Sequence, residues 1–97
     1  MKTTDLYIAA LAEENAAFNA IKDAGTDAQW DSYFDAQEAC TEARNLMLDE
    51  ACAIALGMIS DAESRSNVAK FFDIAKCREG DARTKAIAKA MELSKLC

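Results

Sequence analysis

Residues 26–57 read TDAQWDSYFDAQEACTEARNLMLDEACAIALG, a run with no proline and with its only glycine at the end. Thr26 and Gln29 are spaced as a capping box, in which the threonine hydroxyl accepts from the N3 amide and the N3 side chain bonds back to the cap amide. Alanine, leucine, glutamate and glutamine fill much of the run, and these residues lose least on entering a helix. Nothing before Gly57 breaks the pattern, so the stretch predicts one helix over about residues 27–56, roughly 45 Å long at 1.5 Å per residue.

The rest of the chain fits around this rod. Thr4 and Asp5 suit a helix start, and the helix they open is expected to run to about Ala24, with Gly25 as its left-handed cap. Ser60-Asp61-Ala62-Glu63 reads as a second capping box, opening a third helix that ends near Glu79 with Gly80 behind it. Asp81 opens a fourth, to about Leu96. No segment alternates in the manner of a strand, and the 97 residues contain no proline. The fold class expected is all-α: a single domain, residues 1–97, built as an antiparallel helical bundle of three to four helices with one long central helix.

Apolar spacing assigns the core. The first helix offers Tyr7, Leu11, Phe18 and Ile21, with Glu14 interrupting. The second offers Trp30, Tyr33, Phe34, Cys40, Ala43, Met47, Ala51, Ile54 and Met58. The third and fourth offer Val68, Phe71, Phe72 and Ala75, then Ala86, Ile87, Ala90, Met91 and Leu93. Leu46, Leu48 and Leu56 surround the distal half of the central helix, which should be buried by the last two helices. Alanine and cysteine between Asp35 and Asn45 bury little area, so backbones there approach closely or packing is thin.

Several function classes drop out. The chain has no histidine, the usual general base and commonest metal ligand. No glycine-rich phosphate loop is present, and Glu13, Glu14, Asp49 and Glu50, the only candidates for a carboxylate metal site, show no Glu-x-x-His signature. No enzyme activity, cofactor or metal is expected. Cys40, Cys52, Cys77 and Cys97 form no CxxC pair and read as reduced thiols, the first three as small core residues. The N-terminus lacks the features of a signal peptide, and the longest apolar stretch, Ala51–Ile59, is too short to cross a bilayer. A cytoplasmic protein without membrane contact is expected.

Charge is the pattern that stands out. Up to Ile59 there are 11 acids against 3 bases; beyond it there are 6 against 8. Within the central helix Asp27, Asp31, Asp35, Glu38, Glu42 and Asp49 fall within an arc of roughly 80° at 100° per residue. A solvated face is one reading. The other is a binding surface, because like charges one turn apart repel and only Arg44 could offset them within this helix. Trp30, Tyr33 and Phe34 lie beside the row. They either close the hairpin as core or, if Trp30 is exposed, form a binding hot spot with an acidic rim. The candidate partner-binding residues are thus Asp27, Asp31, Asp35, Glu38, Glu42, Asp49, Trp30 and Phe34.

In charge and size the chain resembles the small acidic proteins with which phages block host defence nucleases by imitating DNA. The resemblance is one of charge and size, and it carries no residue roles. It implies a non-enzymatic inhibitor that presents its acidic helix to a basic surface of a protein partner, such as a host nuclease or another nucleic-acid-binding complex. Direct nucleic-acid binding is not expected: Arg78, Arg83, Lys85, Lys89 and Lys95 are interrupted by Asp81 and Glu92. The alternative is a structural or adaptor bundle that works through homo-oligomerisation.

Overall fold

The computed structural model describes residues 2–21, 25–77 and 79–95. Four helices follow one another: α1 (Lys2–Ala20), α2 (Asp27–Gly57), α3 (Ala62–Cys77) and α4 (Asp81–Ser94). The described residues contain no strand, and the protein is an all-α bundle with a long central helix.

The start of α2 follows from local chemistry. The Gln29 amide donates to Thr26 Oγ1 at 3.2 Å and the Thr26 amide donates to Gln29 Oε1 at 2.8 Å, completing the capping box. At α3 the cap is Asp61 rather than Ser60, its carboxylate accepting the Ser64 amide at 2.7 Å. Asp caps as well as Ser, and the helix therefore begins one residue later than the box suggested. Other boundaries also differ from expectation. α1 begins at Lys2, which places Thr4 inside the helix, where it is buried instead of capping it. α1 stops at Ala20 and α4 at Ser94, each short of the expected ends at Ala24 and Leu96, which themselves lie outside the described residues. α3 stops at Cys77, short of Glu79.

α1 lies antiparallel along the first two thirds of α2. At one end Thr3 donates to the Glu50 carboxylate. At the other, Gln29 Nε2 donates to the Ala20 carbonyl at 3.2 Å and the Phe18 ring sits 5.4 Å from that of Tyr33. The α3–α4 hairpin packs on the distal half of α2. Lys76 bridges to Asp49, and Arg65 donates to the carbonyls of Leu56 and Ile59. The core sits here: Met47, Leu48, Ala51, Phe72, Ala75, Ala86, Ala90 and Leu93 are buried together. Four of these are alanines, and at alanine positions backbones can approach closely without leaving a void.

Lengths explain which core assignments fail. α3 and α4 have 16 and 14 residues, roughly 24 and 21 Å, against 31 residues and roughly 46 Å for α2. The short hairpin covers the distal half only. The proximal half remains a two-helix pair, and two helices cannot enclose a full ring of apolar side chains. Phe18, Trp30, Phe34 and Leu11, all expected in the core, are exposed. So are Met58 and Leu46 at the edges of the distal half, and Cys77 at the end of α3. Between Asp35 and Asn45 the packing is thin, with Cys40 the one buried residue.

Candidate partner-binding site

The carboxylate row lies on the exposed side of α2, and at Glu42 it borders a groove shared with Leu6, Ala9 and Glu13 of α1. Asp27, Asp31, Asp35, Glu38, Glu42 and Asp49 are all exposed. Asp49 forms an ion pair with Lys76. The other five have no ion-pair partner among the described residues. From Asp27 to Glu42 the row climbs roughly 22 Å, in steps of roughly 5–6 Å.

The aromatic residues flank its lower end. Trp30, Tyr33 and Phe34 form a continuous cluster, with ring centroids 6.1 Å apart for Trp30–Tyr33, 5.9 Å for Trp30–Phe34 and 5.6 Å for Tyr33–Phe34. Trp30 is 37% exposed and Phe34 53%. The loop before α2 supports the indole. Gly25 adopts φ +49°, and a Cβ there would lie 2.7 Å from Ile21 Cγ2 and 2.9 Å from Trp30 Nε1. A side chain at that position would displace the ring. Sequence reasoning missed Phe18, which is 54% exposed and extends the cluster onto α1 through its contact with Tyr33. The alanine-rich run over residues 36–43 that follows Phe34 on α2 was the available signal, since it leaves nothing bulky to seal the aromatic residues in.

Beyond Phe34 the surface dips into a polar notch of about 580 Å³ between α1, α2 and the α3–α4 turn. Glu14, Glu38, Arg44, Lys76, Glu79 and Arg83 line it, so its charges balance. The Nε atoms of Arg44 and Arg83 are buried without a hydrogen-bond partner among the described residues. Burial lowers the Arg44 pKa from its ordinary value, and the neighbouring Arg83 charge lowers it further. Burial pushes the Cys40 thiol up to about 11, reinforced by the Glu14 carboxylate. Cys40 therefore stays a thiol at neutral pH, and a thiol is a poor nucleophile. Among the described residues no three Cys, Asp or Glu side chains converge as metal ligands would. Glu50 is engaged by Thr3 and Asp49 by Lys76, while Glu14 faces the notch.

Three bases of the C-terminal half have acidic partners among the described residues. Besides Lys76 with Asp49, Arg83 lies 3.8 Å from Glu79 and Lys89 lies 3.7 Å from Glu92. Arg78 lies outside the described residues. No described helix is long and apolar enough to cross a membrane.

Fold and surface together define a class, a small helical bundle with one anionic, aromatic-edged face. Compared with known protein families, with curated proteins and with solved structures, the chain finds no match.

Proposed function

We propose that this chain is a non-enzymatic binding protein, an inhibitor that presents the acidic face of α2 to the basic groove of a nucleic-acid-binding protein. Its resemblance to phage DNA mimics is of this kind. The observation that supports the proposal is the run of five exposed, unpaired carboxylates from Asp27 to Glu42 beside half-exposed Trp30 and Phe34. Recurring about once per helical turn, they set negative charge in a line along a rod, as phosphates do along a strand. The carboxylates would steer and register the partner, while the aromatic residues would supply buried contact area.

The test is reversal of Asp31, Asp35, Glu38 and Glu42 to lysine, with circular dichroism as the control for folding. Lysine is at least as good a helix former as these acids, so helicity is expected to stay. A partner captured by the native chain should be released by added duplex DNA and by moderate salt, and should not be captured by the lysine variant. Capture that survives both reversal and salt would end the proposal.

A second proposal, self-association, draws support from Leu6, Ile8 and Leu46, which are about half exposed on α1 and α2. Sedimentation distinguishes it, since an apolar dimer would persist at high salt and in the lysine variant.

A further inference from the structure

At the end of the bundle opposite the aromatic cluster, α2, α3 and α4 splay around an open groove of about 440 Å³, within the usual range of small-molecule sites. Its floor is Phe72, only 2% exposed, with the Phe71 ring edge-on at 5.5 Å. Ile59, Val68 and Leu93 form the walls, and Met58, 59% exposed, forms a flexible lip. The only charged residues lining it are Lys85 and Lys89, one helical turn apart on α4. Lys85 has no ion-pair partner among the described residues, and the Lys89–Glu92 pair is solvent-exposed and therefore weak. A chain of net charge −6 thus carries two ammonium groups at the mouth of an apolar recess.

We infer that this groove binds a single-chain anionic amphiphile, a medium-length alkyl carboxylate being the simplest example. The alkyl chain lies over Phe72 between Val68 and Leu93, and the carboxylate meets Lys85 and Lys89. Charge complementarity selects the head, and the apolar lining selects the tail. A partner helix is the poorer fit, because it needs anchor pockets repeated along several turns, whereas this is one recess over one floor residue. An anionic bilayer is disfavoured by Asp61 and Glu63, both exposed at the adjacent start of α3.

Calorimetric titration of the intact protein with hexanoate, octanoate, decanoate and dodecanoate, each below its micelle-forming concentration, tests the assignment. Affinity should rise about fourfold per added methylene until the tail fills the groove, then level off. Decanol and methyl decanoate should bind at least tenfold more weakly than decanoate. The double variant Lys85→Gln/Lys89→Gln should lose that head-group preference while keeping the chain-length slope. Val68→Trp should fill the recess and abolish binding with helicity unchanged; should that variant unfold, Val68→Met serves as the milder block. Failure of decanoate to saturate the protein at millimolar concentration would overturn the inference. So would equal affinity for decanoate and decanol, or binding only to phosphatidylglycerol vesicles.

Discussion

Phe72→Ala and Phe18→Ala make the same chemical change in the two halves of α2's surroundings, and the structure assigns them different costs. Phe72 is 2% exposed and packs against α2 and α4 in the core. Its loss removes a fully buried ring and leaves a cavity, for which about 3–5 kcal/mol is expected. Phe18 is 54% exposed, so just under half of its surface is withdrawn from water. Full burial of such a side chain stabilises by about 1.5–3 kcal/mol, and the fraction here amounts to about 1 kcal/mol. Its tilted contact with Tyr33 adds tenths of a kcal/mol at this exposure. For a domain of this size each kcal/mol moves Tm by about 4–8 °C. Phe72→Ala should therefore lower Tm by at least about 12 °C, and Phe18→Ala by roughly 4–8 °C. The assay is thermal and urea unfolding followed by circular dichroism at two protein concentrations. Equal losses for the two variants would refute the division into a sealed distal core and an open proximal pair. A Phe18 cost that grew with protein concentration would show that a second copy covers the aromatic cluster, and Trp30 and Phe34 would no longer be free to bind a partner.

Glycine positions separate in the same way: Gly25→Ala should destabilise by about 1–2 kcal/mol, from its positive φ and the crowding of Ile21 and Trp30, and should shift the tryptophan emission. Gly57→Ala, which meets open space at the last residue of α2, should stabilise by up to about 1 kcal/mol in urea unfolding. The Asp61 carboxyl is held below its ordinary pKa by the Ser64 amide and hydroxyl, so its contribution is present above the unfolded carboxylate range near pH 4 and is lost as pH falls through the folded value. The stability difference between the native chain and Asp61→Asn should accordingly be seen at pH 7 and shrink as pH falls through the folded value. Among the described thiols, alkylation at pH 8 should label exposed Cys77 first, Cys52 more slowly and buried Cys40 last, as mass spectrometry of digested protein would show. Rapid labelling of Cys40 would mean that α1 does not stay seated on α2.

What the sequence determined by itself was local. Thr26 with Gln29 set the start of α2 through bonds made within one turn, and an uninterrupted run to Gly57 set its length. The angular order of six acids placed them on one side of the rod, and they are exposed there because no neighbour can bury an unpaired carboxylate cheaply. Met47, Ala51, Phe72 and Ala90 were legible as core because they repeat at helical spacing on faces that meet a partner. Phe18, Trp30, Phe34 and Met58 repeat at the same spacing and are not core. Periodicity names the apolar face of a helix, but burial belongs to two surfaces and depends on where the second one ends. The apolar residues around the distal half of α2 already pointed to the last two helices as its cover, but only the tertiary structure decided where that cover ends, leaving the aromatic cluster open beside the carboxylates and Phe72 at the floor of a groove whose mouth is basic.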